Sequence, residues 1–279
     1  MGVEKKPSSF ATGKNGIMKL HTMIDINSIH FSSVRENKTN NQKAIYMSTV
    51  EGSSDHATRI EVQLAPSHKE FVPRSKFGVD SSMNSDPYNR TVSLSVEDPS
   101  LLEWLKQLED RVIQVGCEKS MDLWGKQMDE AQVRERFKPM LSCPSEDKPG
   151  YSPLLKVKMQ IHNEMKSSNE QPLPTSFFVV DLDDPQSTDI FPNGRLEMHS
   201  LEYESEDPTK IICKNSKVLP LVRFSIWKSS IGFGISCRAL NMILWPSNQA
   251  TTALESMNLG GAVVTVTSKK RTYEEYEDQ

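Results

Sequence analysis

Four segments in the first hundred residues alternate between apolar and polar positions, which predicts β-strands. In the last of them Val92, Leu94 and Val96 fall on one face. Period two with turn residues between the segments is typical of an antiparallel sheet with one buried face. The predicted strands cover residues 19–31, 43–50, 58–66 and 90–98.

The periodicity changes after Asp98, where the sequence predicts an amphipathic helix. Asp98 followed by Pro99 favours a helix start, because aspartate accepts hydrogen bonds from the free amides and proline fits the first turn. Apolar residues then recur at spacings of four and three, and Gly116 is predicted to end the helix. The apolar stripe consists of Leu101, Leu105, Leu108, Val112 and Val115.

A second helix and further strands complete the predicted domain. Asp129 with Gln132 three residues later matches a capping box, so the helical insertion covers about 98–138. The order of strands, helices and strands predicts one β-rich α+β domain, either a barrel or a β-sandwich, with the helix packed on it. The later predicted strands cover residues 154–161, 176–182, 218–228 and 231–245.

Charge is concentrated at the C-terminus. The chain has 33 basic and 37 acidic residues, and residues 272–279 hold four acids and no base, so the remainder is balanced at 33 against 33. We therefore predict a flexible arm over 1–17, a single domain over 18–268 and a disordered acidic tail over 269–279. The chain lacks a long apolar stretch and a secretory signal, so we expect an intracellular protein without a membrane segment.

The sequence offers little chemistry for catalysis. No nucleophile, base and oxyanion donor occur in a known arrangement, and the histidines and cysteines show no metal-ligand spacing. We therefore expect a non-enzyme without a cofactor or a metal. One competing hypothesis is a metal-dependent enzyme that uses Asp181, Asp183 and Asp184, although a solvated acidic loop explains these residues as well.

Residues 208–254 contain six bases and no acid, together with four aromatic residues. Cations that neutralise phosphates and rings that stack on bases are the combination that binds single-stranded nucleic acid. The alternative is that the rings belong to the core and the cations to the solvated face of the strands. The bases are Lys210, Lys214, Lys217, Arg223, Lys228 and Arg238, and the rings are Phe224, Trp227, Phe233 and Trp245.

One segment carries a family resemblance. Residues 96–141 read VEDPSLLEWLKQLEDRVIQVGCEKSMDLWGKQMDEAQVRERFKPML, and residues 151–159 read YSPLLKVKM. The helix start, the LEDRV motif, the Trp-x-Lys, the F-K-P ending and the Y-x-P-x-x-K-x-K strand occur in this order. The segment resembles the single-stranded DNA-binding proteins of nucleocytoplasmic large DNA viruses of the algal-virus type, distant relatives of the T-seven-type phage protein.

The resemblance implies an elaborated OB-fold, an antiparallel barrel with an inserted helix. It also implies a homodimer that binds single-stranded DNA during viral replication, recombination or repair, in the host nucleus or cytoplasm. The acidic tail would compete for the DNA groove and recruit replication proteins such as a polymerase or a helicase/primase. The tail residues are Tyr273, Glu274, Glu275, Tyr276, Glu277 and Asp278. The chain departs from the phage relative because it does not end in an aromatic residue.

The predicted DNA contacts come from the resemblance and from the pattern of cations and rings. The resemblance assigns phosphate contact to Lys156 and Lys158, which alternation places on one face of a strand. Residues chosen from the pattern alone are Arg74, Lys76, Phe77, Tyr88, Arg90, Trp227, Lys228, Phe233 and Arg238. The alternative function is a structural or scaffold β-protein of the virion that does not bind nucleic acid.

Overall fold

A computed structural model gives the structure of the chain. The chain divides into two units, Met1–Ser247 and Asn248–Gln279, and every described residue belongs to the first unit. The described residues are 17–37, 42–51, 53, 59–66, 71–80, 89–144, 150–161, 174–180, 200–203 and 212–245.

The described residues contain fourteen strands and three α-helices, so the prediction of a β-rich α+β fold is confirmed. The helices are α1 (Pro99–Glu118), α2 (Ser120–Trp124) and α3 (Glu130–Arg136). The strands are β1 (Ile17–Leu20), β2 (His30–Phe31), β3 (Arg35–Asn37), β4 (Gln42–Ser48), β5 (Ile60–Gln63), β6 (Arg74–Val79), β7 (Asn89–Ser95), β8 (Phe137–Lys138), β9 (Leu141–Ser142), β10 (Leu154–Gln160), β11 (Ser176–Val180), β12 (Ser200–Tyr203), β13 (Lys217–Ser229) and β14 (Gly232–Trp245).

The pairings of five strands return to their starting point. Strand β6 pairs with β7, β7 with β10, β10 with β14, and β14 with β13, which pairs again with β6. Only β10 and β14 run parallel in this circuit; the other pairs are antiparallel. At the β13–β6 junction Val218 N donates to Pro73 O at 2.8 Å and Ser75 N donates to Ser216 O at 2.9 Å.

Two long strands, β13 and β14, form a hairpin that organises the sheet. One edge of β13 pairs with β14, and its other edge pairs with β4, β5 and β6. Strand β14 has one extra residue, Leu240, because Leu221 lies opposite Asn241 and Val222 lies opposite Ala239. The Thr175 hydroxyl donates to Ala239 O at 2.9 Å and accepts from Gln160 N at 3.0 Å, which fixes the bulge against the end of β10.

Helix α1 packs on the sheet through the predicted stripe. Asp98 caps it by accepting from Leu101 N at 3.0 Å, and all five stripe residues have an exposed fraction of 0%. The predicted end at Gly116 is wrong, because the helix continues to Glu118. Gly116 serves close packing instead: a Cβ there would lie 2.8 Å from Val133 Cγ1 and 3.0 Å from the Phe233 ring.

The short helix α3 has the predicted capping box, in which Asp129 accepts from Gln132 N and Gln132 accepts from Asp129 N. Glu109 on α1 accepts from Met140 N at 2.6 Å and from Leu141 N at 3.0 Å. These bonds hold the chain between the helices and β10 against α1.

No helix in the described part of the chain is long and apolar enough to cross a membrane.

The largest difference from the predicted strands lies at residues 19–31. Beyond Leu20 the chain forms two 3-10 turns, over His21–Met23 and Ile26–Ser28, rather than a continuous strand. Asp25 accepts from Asn27 N at 3.0 Å and stabilises the second turn. The alternation pattern also does not predict β6, because a bulge interrupts its period of two.

His21 provides a pH-dependent contribution to stability. It is buried edge-on to Trp104, with ring centroids 6.0 Å apart. Burial lowers its pKa below the ordinary value, and the charge of Asp98 opposes this shift. The unfolded chain therefore binds the proton more readily, and the stability contributed by neutral His21 is present above about pH 6.5 and lost as the pH falls.

We expect a His21→Phe variant to lose less stability than the unaltered protein between about pH 7.5 and about pH 5, by up to about 1.4 kcal/mol per pH unit. Urea unfolding of both proteins at each pH measures the difference. Buried Glu61 and half-buried Glu109 have pKa values raised by desolvation and respond in the opposite direction, but both proteins contain them. Equal pH dependence in the two proteins would contradict the role of His21.

Candidate nucleic-acid interface

Strand β10 presents two lysines on one face and apolar residues on the other. Lys156 and Lys158 are exposed, whereas Leu155, Val157 and Met159 are buried. Lys156 lies opposite Ser93 and Lys158 lies opposite Thr91 on the antiparallel strand β7. The alternation expected from the sequence is therefore present, and both lysines lie on the face that is not buried.

The register continues this face across the sheet. Lys158 is in register with Arg238 on β14, and Arg238 with Arg223 on β13. Residues in register on adjacent strands project to the same side of a sheet. These three cations form what we term the cationic row; it is flanked by Thr91 on β7 and by Glu61 on β5.

The cationic row places like charges beside each other. The pKa of Lys158 is lowered by partial desolvation and further by the charge of Lys156. The pKa of Arg238 is lowered by desolvation and by the charge of Arg223. In the described part of the chain no carboxylate forms an ion pair with Lys156 or Lys158. Mutual repulsion of this kind is relieved when an anion binds.

Glu61 is the acidic neighbour of the row. Its side chain has an exposed fraction of 0% and forms an ion pair with Arg223. Desolvation raises the pKa of Glu61, and the charge of Arg223 opposes the shift. Glu61 Oε2 and Arg223 Nε are buried without a hydrogen-bond partner among the described atoms. The pair neutralises one cation at the end of the row, and the lysines of β10 keep the opposite end positive.

A bulge in β6 adds exposed groups next to β7. Between the pairs Ser75–Leu94 and Val79–Val92, β6 has three residues where β7 has only Ser93. Lys76 and Phe77 lie in this bulge, and Phe77 is 72% exposed. Since Ser93 also lies opposite Lys156, the bulge is separated from the lysines of β10 by the single strand β7.

The third residue of the bulge, Gly78, explains why the bulge can form. Its φ is +83°, a left-handed conformation that favours glycine, and a Cβ there would lie 3.2 Å from Ile212 O. Gly78 N donates to the Ser75 hydroxyl at 2.9 Å, which closes the bulge. The exposure of Phe77 therefore results from a defined backbone geometry.

A second exposed ring lies beside the bulge. Tyr151 is 58% exposed, and Lys76 Nζ lies 5.3 Å from the centre of its ring. A cation above an aromatic ring is attracted to its face. Phe77, Lys76 and Tyr151 together provide two rings and one charge at the edge of the face that carries Lys156.

Trp227 of the predicted contacts shares the face of the cationic row. It lies four residues after Arg223 along β13, so the two side chains project to the same face, and it lies opposite Gly234. A Cβ on Gly234 would lie 3.3 Å from Trp227 Cζ2, so the indole covers this glycine, and Trp227 remains half-buried. Arg74 lies at the β6–β13 junction opposite Lys217, away from the row.

Three predicted contacts do not join the face. Phe233 has an exposed fraction of 0% and packs against Trp124 at 5.3 Å and Phe137 at 6.0 Å, so no base can stack on it. Arg90 projects to the same face of β7 as the buried residues Val92 and Leu94, and its Nη1 donates to Asp80 O at 3.4 Å. Lys228 alternates with Trp227 and lies opposite Phe233. We remove these three residues from the candidate interface.

Several predictions lie outside the described residues, namely Tyr88, the acidic cluster 181–184 and the tail residues of 273–278. Within the described ranges, no group of three or more His, Cys, Asp or Glu side chains could hold a metal ion. Arg223 and Tyr151 lie on or beside this face but are not among the contacts predicted from the sequence. Arg223 was one of the six bases of residues 208–254, and Tyr151 opens the quoted YSPLLKVKM motif, so both carried a signal.

No family model and no curated protein matches the chain.

Proposed function

We propose that the protein is a non-catalytic single-stranded DNA-binding protein with a barrel of the OB-fold type. The strand circuit supports this fold. In chain order the five strands are β6, β7, β10, β13 and β14. Around the circuit their order is β6, β7, β10, β14 and β13, and β13 pairs again with β6, so the fifth strand lies between the third and the fourth. This is a five-stranded Greek-key arrangement, and OB-folds bind oligonucleotides on the face of strands two and three.

The observation that carries the proposal is the position of the cations. Lys156 and Lys158 lie on the third strand of the circuit, opposite the small polar residues Ser93 and Thr91 of the second. The cationic row extends from there across β14 and β13. Lysine and arginine beside small polar groups can contact a phosphate backbone without reading sequence.

Exposed rings supply the second requirement of single-stranded binding. Phe77 and Tyr151 are exposed to solvent near the face that carries Lys156 and Lys158. Because neither ring is buried, packing in the core does not account for an aromatic residue at these two positions. Stacking of a base on such a ring contributes about 1–3 kcal/mol and tolerates any sequence. Only an unpaired strand presents its bases in this way, which favours single-stranded over duplex DNA.

The direct test is titration of fluorescently labelled oligo-dT and of a duplex of equal length at low salt. We expect tighter binding of oligo-dT, because the duplex has no free bases for Phe77 and Tyr151. Equal affinity for both ligands, or no binding of either, would contradict the proposal. Size-exclusion chromatography with and without oligo-dT tests the alternative, a virion scaffold protein, which would form large assemblies independently of nucleic acid.

The wider role follows the family resemblance. We propose that the protein coats single-stranded DNA during viral replication, recombination or repair, as a homodimer inside the infected cell. The acidic tail would occupy the cationic face when DNA is absent and recruit replication proteins when DNA displaces it. Tethering gives such a tail an effective concentration of about millimolar relative to its own domain.

Truncation of the chain after Arg271 tests the tail. The truncated protein is expected to bind oligo-dT more tightly than the full chain at low salt, because four carboxylates no longer compete for the cations. The difference should shrink as salt screens the competition. Identical affinities of the two proteins at low salt would show that the tail does not occupy the face.

A further inference from the structure

The face of the cationic row continues beyond β13 onto β4. Ser225 is two residues from Arg223 on β13 and lies opposite Tyr46 of β4. Trp227 lies opposite Ala44, which in turn lies opposite Arg35 of β3. Residues paired in this way project to one side of the sheet. Tyr46 and Arg35 therefore share a face with Arg223 and Trp227.

Arg59 completes a second cluster on this side. It forms an isolated bridge with Ser48, which lies two residues after Tyr46 on β4 and therefore projects to the same face. The guanidinium carbon of Arg59 lies 3.7 Å from the centre of the Tyr46 ring. This contact holds the planar guanidinium against the ring and reduces the rotamer freedom that binding would otherwise remove.

The cluster places guanidinium groups close to one another. Desolvation lowers the pKa of Arg59, the neighbouring Tyr46 opposes this shift, and the charges of Arg223 and Arg35 add to it. Arg35 is exposed, and Arg59 and Tyr46 are half-buried. On the described strands, the register places Glu61 opposite Arg223, with which it forms an ion pair. The cluster therefore brings three guanidinium groups to one side of the sheet.

We infer that Arg35, Arg59 and Tyr46 form a second phosphate-binding site, which takes the same single strand after it crosses the cationic row. This inference rests on the proposed function and defines the path of the strand over the protein. Guanidinium groups bind phosphate oxygens in a bidentate manner, and a guanidinium stacked on a ring can also stack on a base through its opposite face.

The geometry predicts a dependence on oligonucleotide length. Three strand spacings separate β10 from β4 along the row, which corresponds to about 14 Å. A short oligomer can bind at Lys156 and Lys158 without reaching Tyr46, whereas a longer one spans both sites. Lengths of about 3 and about 20 nucleotides lie below and above the site sizes of about 4 to 16 nucleotides found for OB-folds.

The test compares the affinities of these two oligo-dT lengths for the unaltered protein and for an Arg35→Ala/Arg59→Ala double variant. We expect the double variant to bind the long oligomer at least about tenfold more weakly and the short one within about twofold of the unaltered protein. The slope of the logarithm of the binding constant against the logarithm of salt concentration should become shallower by about 1.4 for the long oligomer, because two phosphate contacts are lost. A Lys106→Ala/Arg136→Ala variant removes the same charge from exposed helix positions and serves as the control.

An unchanged affinity for the long oligomer would overturn the second site while leaving the proposed function intact. Equal weakening for both lengths would also overturn it, because the arginines would then belong to a single site with the lysines. If the unaltered protein binds neither oligomer, the proposed function itself fails. The single variant Arg35→Glu, at an exposed position, keeps the test decisive if the loss of Arg59 from its contact with Tyr46 unfolds the protein.

Discussion

Replacement of both Lys156 and Lys158 by glutamate is expected to weaken binding of single-stranded DNA by about 100-fold or more at low salt. Four units of charge change on the face proposed to contact phosphates, and each is worth about 1 kcal/mol at 4 Å in water. Both side chains are exposed, so the variant should fold. Fluorescence anisotropy with labelled oligo-dT measures the affinity.

A matched control separates a local effect from the change in net charge. A Lys106→Glu/Arg136→Glu variant carries the same charge reversal on the helices and is expected to bind within a few-fold of the unaltered protein. Thermal melting should leave the lysine variant about as stable as the unaltered protein, since both positions are exposed, no described ion pair is broken and one like-charge pair replaces another. Unchanged affinity of the lysine variant would remove both residues from the interface.

The second large effect concerns two phenylalanines that the sequence does not distinguish. A Phe233→Ala variant is expected to lose about 3–5 kcal/mol of unfolding free energy, because Phe233 is fully buried against Trp124 and Phe137. A Phe77→Ala variant should leave stability within about 0.5 kcal/mol, because Phe77 is 72% exposed. Urea unfolding of each variant gives both values.

The two variants should show the reverse order in DNA binding. Phe77→Ala is expected to lose about 1–3 kcal/mol of binding free energy if a base stacks on the ring. The folded fraction of Phe233→Ala should bind nearly as well as the unaltered protein, and Phe233→Leu provides a better-folded variant for this measurement. Strong loss of binding in folded Phe233→Leu, together with unaltered binding in Phe77→Ala, would contradict this assignment.

Local patterns predicted the helices well because caps and stripes depend on neighbours in the chain. Asp98 and the capping box at Asp129 lie where the sequence places them. Gly116 misled the prediction, because glycine at a helix end and glycine at a close packing contact look the same in a sequence. Only the positions of Val133 and Phe233 distinguish the two cases.

The candidate interface was only partly predictable for a related reason. The alternation of Lys156 and Lys158 is local, and it correctly placed them on one face. The cationic row depends on register between strands far apart in sequence, such as Lys158 with Arg238, and composition does not determine register. The bulge that exposes Phe77 depends on the approach of Gly78 to Ile212, which is also non-local.

The burial of aromatic residues could not be read from the pattern either. Trp227 and Phe233 lie opposite or next to the same glycine of the β13–β14 hairpin, yet one side chain shares the face of the row and the other fills the core. The two-residue period of a strand places the two side chains on opposite faces of the hairpin, but it does not indicate which of these faces is buried. That choice depends on helix α1 and its neighbours, which cover the Phe233 side.

The most direct measurement of the central claim is the salt dependence of oligo-dT affinity. Contacts of Lys156, Lys158 and Arg238 with three phosphates predict that the logarithm of the binding constant falls with the logarithm of salt concentration with a slope of about −2 or steeper. The Lys156→Glu/Lys158→Glu variant should lose most of this slope. An affinity that does not change with salt, or a slope that the variant retains in full, would contradict the proposed interface.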